Sequence, residues 1–447
     1  MKKRQIKALK TVNPEPVLGA DKEKILNENT FWWRWTASFP ALQSANYRRY
    51  FFGQFISIIG TWLQVVAQGW LVLSLTNSPF YIGLVTALST VPSLLFSLWG
   101  GVIVDNFRKR YILYFTQSAS MVLALLLGIL TVLQVITLPV ICIIAFLLGT
   151  VNAVDAPARQ AFVSELVNRE QLSSAIALNS GIFNGGRIIG PGIAGFLIAL
   201  AGTGGAFIIN GLSYVAVLLA LKGLTIIDKS GERNLKPLEA IRQGLDYSFS
   251  HPLIRVLLIF IGVVSIFGWS YTTIMPLIAR NVFHVDAKGL GYLYSATGLG
   301  SLLATYLVGA YAQKVPPLVF IIGGNSLCCI GLILFSFSNT MAVALPLLFF
   351  TGLGLLLQTA TINTLIQGMV KNLFRGRVMS IYVLMFLGLA PLGNFEIGLL
   401  TEKLGTSWAI TINAVIVFIF GWVVFFYRKK IRVAYQDYRR LNPPEVV

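Results

Sequence analysis

The chain has 447 residues, 56% of them hydrophobic and 12% charged, with a mean hydropathy of +0.74 and a formal net charge of +18. So large an apolar fraction exceeds what a soluble domain of this size buries, which excludes the soluble classes. The positive charge does not point to nucleic acid, because Lys and Arg fall in short clusters between apolar runs, the pattern of membrane topology.

Residues 1–47 mix Lys, Glu, Asn and Pro without an apolar core long enough for a secretory signal. They read as a cytosolic tail with an interfacial patch at FWWRW, 31–35. A spanning helix needs about 20 apolar residues. Runs of that kind fall at 51–75, 80–104, 111–133, 138–158, 174–200, 204–222, 253–279, 288–313, 318–337, 341–369, 378–401 and 406–427. These twelve spans predict an all-α integral membrane protein.

With the N-terminus inside, 31 of the 35 Lys and Arg residues fall on the cytosolic side. Arg280, Lys288 and Lys403 fall outside, and Arg187 lies within the fifth span. Basic residues are retained in the cytosol, so both termini are expected there. In the longest loop, PLEAIRQGLDYSFSHP places Leu238, Ile241, Leu245 and Phe249 on one helical face, which predicts an amphipathic helix along the cytosolic surface. The chain therefore divides into a tail (1–47), a six-helix half (48–222), a linker (223–252), a second six-helix half (253–427) and a tail (428–447).

The halves echo one another. GGVIVDNFRKR (100–110) follows the second span and VGAYAQKVPP (308–317) the eighth, aligning Gly101 with Gly309 and Asp105 with Gln313. RQAFVSELVNREQLSSAIALN (159–179) and INTLIQGMVKNLFRGRVMSIY (362–382) occupy matching places after the fourth and tenth spans. Six plus six spans in a parallel repeat is the architecture of a rocking transporter.

Four spans carry polar residues at helical spacing: Ser57, Thr61, Gln64 and Gln68 in the first; Asn152, Asp155 and Arg159 in the fourth; Ser265, Trp269, Thr272 and Pro276 in the seventh; Thr359, Asn363 and Gln367 in the tenth. Polar atoms facing lipid are costly, so these stripes are expected to look inward on a water-filled path. Three ionisable residues sit well inside spans: Asp155, Arg187 and Glu396. Each needs water or a partner, since a charge there costs about 2.5–3.5 kcal/mol. Asp155, one turn from Arg159, is either a proton carrier or half of a static ion pair near the cytosolic gate. Arg187 either attracts an anionic substrate or pairs with a carboxylate. Glu396 is the alternative proton carrier or an outer-gate hydrogen bond.

Cys142, Cys328 and Cys329 lie in apolar runs without metal-ligand spacing and read as packing residues, and no metal site is expected. No GxxxxGK[ST] phosphate loop is present, which disfavours an ATP-driven pump. His251 and His284 fall on opposite sides of the membrane, so no catalytic constellation is expected.

GTWLQVVAQGWLVLSLTNSP (60–79), NAVDAPARQAFVSELV (152–167), ALNSGIFNGGRIIGPGIAG (177–195) and RGRVMSIYVLMFLGLAPLG (375–393) together resemble the major facilitator superfamily, and within it the drug:proton antiporter branch that includes enterobactin and macrolide exporters. The resemblance runs from Ala41 to Tyr427. It implies two pseudo-symmetric six-helix halves, a cavity lined by spans 1, 4, 7 and 10, and proton-driven export of a drug-like or siderophore-like small molecule by alternating access. The partners it implies are that substrate, protons and the lipid bilayer, with no cofactor beyond the proton gradient. It further implies a monomer in the bacterial plasma (inner) membrane.

GGVIVDNFRKR resembles the loop motif of the superfamily: Gly101 for close helix approach, Asp105 to cap or pair with a neighbour and hold the cytosolic side shut, then Arg108 with its basic followers. Asn106 and Arg108 stand where that motif usually has Arg and Gly. GRIIGPGIAG resembles the antiporter motif, with Gly186, Gly190, Pro191 and Gly195 matching and Ala194 departing; Gly298 and Gly300 are its expected packing partners. Two other readings share the fold: a lysophospholipid or lipid flippase, and a uniporter without proton coupling. A non-transporting sensor or scaffold is the remaining alternative.

Overall fold

In a computed structural model of the chain, the described residues are 39–224, 237–311, 314–370 and 372–433. The FWWRW patch, Gln313 and the Arg187 side chain lie outside what is described. Among the described residues, eleven helices are long and apolar enough to cross a membrane. The first four spans are Ala45–Thr76, Pro79–Asn106, Lys109–Val132 and Leu138–Val163. The next helix, Leu172–Lys222, breaks at Gly202, whose φ of 69° and ψ of 177° suit a residue without Cβ. Its arms, 172–201 and 203–222, are about 45 and 30 Å long at 1.5 Å per residue and serve as the fifth and sixth spans, consistent with twelve crossings. The linker helix is Pro237–Ser250. Spans seven to twelve follow: Pro252–Asn281, Ala287–Tyr311, Pro317–Ser336, Met341–Met369, Phe374–Leu404 and Thr406–Phe426.

Proline marks many of these starts. It occupies the first turn of the second, fourth, seventh and ninth spans, where no intrahelical N–H bond is lost. Interior Pro92, Pro157, Pro191 and Pro346 each remove one ladder bond and bend their spans. Two spans carry π-helical segments, Val264–Gly268 in the seventh and Leu384–Gly388 in the eleventh.

Both ends of the described chain lie on one face of the bundle, called here the terminal face; the opposite one is the distal face. Inside each half, backbones approach closely through small residues. A Cβ at Gly100 would strike the Ala153 carbonyl, and one at Gly149 the Ser89 carbonyl, joining spans two and four. Gly300 against Phe349 and Gly352 against Thr297 repeat this between spans eight and ten. At the terminal face, Arg49 donates to Gly223 O (2.6 Å) and Arg110 to Lys222 O (3.3 Å), two cations on the carbonyl end of the sixth span.

The linker helix docks on the start of the eleventh span. Gly244 and Ser248 are buried, and Tyr247 stacks on Phe374 at 4.6 Å. Of the expected apolar face, Leu245 packs against the core and Phe249 is exposed, while the side chains of Leu238 and Ile241 lie outside what is described. Gly244 admits the Arg377 backbone, a close seat for the helix at this point.

The halves meet toward the distal face. Gly83 packs on Gly398, Phe80 on Phe395 at 5.7 Å, and Ser78 donates to Glu402 (2.9 Å), joining spans two and eleven. Gly195 packs on Ala287 and Gly291, joining spans five and eight. Arg280 reaches Leu73 O at 3.5 Å, joining spans seven and one. The core follows the same division. One large apolar cluster runs through both halves, including Leu63, Ile82, Ile198, Leu258 and Ile397. The terminal part of the first half has its own cluster around Tyr47, Tyr50, Leu113, Phe162 and Val217.

Candidate functional site

Asp155 lies in the fourth span, two residues before Pro157 loosens the ladder. It is 5% exposed and turns toward the third span. Its Oδ1 accepts from Thr116 Oγ1 (2.6 Å) and Gln117 Nε2 (2.9 Å), and its Oδ2 accepts from Arg159 Nε at 2.7 Å. Three donors, one of them a guanidinium, hold the carboxylate within the first half. Tyr50 and Gln54 of the first span are buried beside it, and Tyr50 meets Phe162 edge-on at 5.3 Å. Nearby, Lys109 pairs with Glu165 at 2.8 Å across the loops of the terminal face. These two are the ion pairs among the described residues.

The other stripes divide between partners. On the first span Thr61 is exposed and Gln68 half-buried. Gln64 is buried and accepts from Asn210 of the sixth span, so the expectation that the whole stripe opens on one path fails there. The cause is Gly60, whose missing side chain lets Ser213 and Asn210 come up against that face. Asn152 is exposed.

In the second half the two π segments face one another. Ser265 donates to Phe386 O (2.6 Å), and Trp269, half-buried, sits edge-on to Phe386 at 6.2 Å. Tyr382 stacks on Phe386 and reaches Thr359 O at 3.4 Å. Thr359 is buried and bonded to Leu355 O, Thr272 to Trp269 O, and exposed Gln367 donates to half-buried Asn363. Trp269, Tyr382 and Phe386 thus form an aromatic wall beside Thr359 and Asn363. Extra backbone turns of this type concentrate where helices carry function.

Glu396, half-buried, is placed by the eleventh span against the twelfth. Its Oε2 accepts from Asn413 Nδ2 (3.0 Å), and the same amide donates to Ser270 Oγ (3.1 Å). A second polar chain, with one amide between two hydroxyls, crosses between the halves: Thr273 donates to Asn394 Oδ1 (2.9 Å), and Asn394 Nδ2 reaches Thr90 Oγ1 (3.5 Å).

Several expected roles change. Gly186 and Gly190 receive Ile58 and Trp62 of the first span, not the eighth; Gly300 packs on the tenth. The contact between spans five and eight falls instead on Pro191, Gly192 and Gly195, against Gly291, Ser295 and Ala287. A Cβ at Gly101 would meet open space, and the close approach belongs to Gly100. Asp105 and Arg108 are exposed, and among the described residues Asp105 makes no ion pair. Asn210, Asn394 and Asn413 were missed by the stripe reading; the signal available was a lone amide in an apolar run, as in TINAVIVFIF.

A family model described as Transmembrane secretion effector (MFS_3) matches residues 36–446. The chain belongs to the major facilitator superfamily. This superfamily comprises transporters, not enzymes. Within it, the chain is 29% identical to the staphyloferrin A transporter of Staphylococcus aureus over 397 residues, 87% of this chain and 98% of that one. It is 24% identical over 271 residues to the enterobactin exporter EntS of Escherichia coli, 61% of this chain and 65% of that one. The fold matches a bacterial homologue of the human lysosomal transporter Spinster, in an inward-facing and unoccupied conformation, with a TM-score of 0.71 at 12% identity over 88% of this chain and 98% of that one. A POT family transporter in complex with 5-aminolevulinic acid matches with a TM-score of 0.67 at 12% identity, over 86% and 96%. The chain is a multi-pass membrane transporter of this superfamily.

Proposed function

We propose that this transporter exports a siderophore-like small molecule across the bacterial plasma membrane by alternating access, driven by proton entry. Its terminal face, with both chain ends, is the cytosolic one, and it works as a monomer without a cofactor. The observation that carries this reading is the one-sided clasp of the halves. Spans two with eleven and five with eight interlock through Gly83, Gly398, Gly195 and Gly291 toward the distal face. The first half keeps a separate core at the terminal face. Halves that interlock most closely toward one end are arranged to rock.

The substrate class is supported by the two siderophore transporters among the relatives. The aromatic wall of Trp269, Tyr382 and Phe386, with amides at Asn363 and Gln367, offers stacking and hydrogen bonds to such a ligand. Asp155 and Arg159 act as a fixed strut for the fourth span, while Asp105 and Arg108 stand free to engage when the cytosolic ends close. One proton moving down 100 mV releases about 2.3 kcal/mol, enough for a roughly fifty-fold gradient of a neutral solute. The test is export of labelled staphyloferrin A from cells expressing the chain, and its uptake into everted vesicles under an imposed pH gradient. Uptake that collapses with the gradient is expected. Uptake indifferent to the gradient removes proton coupling, and lipid translocation in place of siderophore uptake favours the flippase.

A further inference from the structure

Glu396 has an unusual setting for a mid-span carboxyl. Among the described residues it has no cationic partner, and its hydrogen bond comes from a neutral amide. It lies about 12 Å along the helix from Leu404, inside the hydrocarbon region. Asn413 is 2% exposed; both of its N–H groups are used, on Glu396 and Ser270, yet its Oδ1 is buried without a partner among the described residues. A buried amide oxygen without a donor loses the hydrogen bonds it would make to water, so its persistence needs a reason.

No charged group on the packed elements supplies one. The twelfth span has no ionisable residue. The seventh has Arg255 near the terminal face, Arg280 at the distal rim and Tyr271 between; the second has Tyr81 and, at the terminal end, Asp105. On the eleventh itself, Arg375, Arg377 and Tyr382 are more than ten residues away toward the terminal face, while Glu402 is bound to Ser78 and Lys403 is exposed at the distal rim.

We propose that Glu396 and Asn413 form a proton-binding site in which the protonated carboxyl and the amide face each other through two hydrogen bonds. The first, Asn413 Nδ2 to Glu396 Oε2, is already in place. The second forms when a proton bonds to Oε1 and a small rotation of the carboxyl lets that O–H donate to Asn413 Oδ1. The proton leaves hydronium as water, the carboxylate charge disappears, and each polar atom of the amide then has a partner. Asp155 is not the equivalent group, because both of its carboxylate oxygens are already engaged, Oδ1 by Thr116 and Gln117 and Oδ2 by the Arg159 guanidinium. Ser270, third member of the cluster, belongs to the turn that follows the π segment of the seventh span, so loading the site acts on the wall that carries Trp269. The protonation stands apart from the transport reading above; its role in coupling rests on that reading.

The test is infrared difference spectroscopy of the full chain in lipid nanodiscs, between mildly acidic and mildly alkaline buffer. A carboxylic C=O band is expected on acidification, shifted by deuterium and lost in Glu396→Gln. Asn413→Leu is expected to move that band to the position of a carboxyl without an amide partner; if this variant does not fold, Asn413→Ser reads the same displacement. A band retained in Glu396→Gln, or one lost instead in Asp155→Asn, overturns the site, as does an unmoved band in both Asn413 variants. Coupling is read separately with labelled staphyloferrin A in vesicles: Glu396→Gln keeps exchange between the two sides but loses accumulation driven by the pH gradient. Full accumulation by that variant removes the coupling role while leaving the spectral result standing.

Discussion

Replacing Asp155 by Asn keeps shape and one carbonyl while removing the charge. The carbonyl still accepts from Thr116 and Gln117, but an NH2 then stands where Oδ2 took the Arg159 Nε proton at 2.7 Å, donor against donor. Removing one member of a buried pair costs about 3–5 kcal/mol. Here the Arg159 side chain keeps 18% exposure and can turn to water, so the lower range for a lost charged hydrogen bond, about 1.5–3 kcal/mol, is the expected cost. Unfolding by SDS titration in mixed micelles measures it. Arg159→Gln added to Asp155→Asn is expected to recover part of the loss, with a coupling energy of about 1–2 kcal/mol in the double-mutant cycle. An Asp155→Asn protein within about 0.5 kcal/mol of the parent, with additive variants, would show that the pair bears no weight.

Gly195→Leu drives a side chain into the Ala287 carbonyl and Gly291, so the distal clasp is expected to part; alkylation of a cysteine placed at Phe80 should then rise several-fold. Gly202→Ala forces Cβ into a positive-φ residue and is expected to cost about 1–2 kcal/mol in the same SDS titration. Lys109→Glu and Glu165→Lys each place like charges together at a 2.8 Å contact; each is expected to lower thermal stability, and the exchanged pair to restore it, for a coupling of about 1 kcal/mol.

The spans were legible because lipid imposes a long apolar run on each, and even the Gly202 break falls in the gap between the fifth and sixth runs read from sequence. Partners were less legible. Gly186 and Gly190 announce a face that accepts a close neighbour, but the neighbour is chosen by the bulk opposite, here Ile58 and Trp62. Helical spacing put Gln64 and Gln68 on one stripe, yet a stripe is wider than one neighbour, and the sixth span covers only its Gln64 edge. Asn394 and Asn413 carry much of the polar wiring of the second half, and neither belongs to a repeating pattern. A single amide in hydrocarbon is a signal of need, and its answer lies on another span.

The two π segments have a consequence for how this bundle tolerates change. Each inserts a residue into its helix, and one residue turns everything beyond it by about 100°. Ser270 meets Asn413, and Glu396 meets the same amide, only because both helices have been rephased before they arrive. The distal part of each span is therefore indexed separately from its terminal part. Loss of a residue on either side of the Ser265 to Phe386 bond would leave hydropathy untouched while rotating a polar wall into lipid.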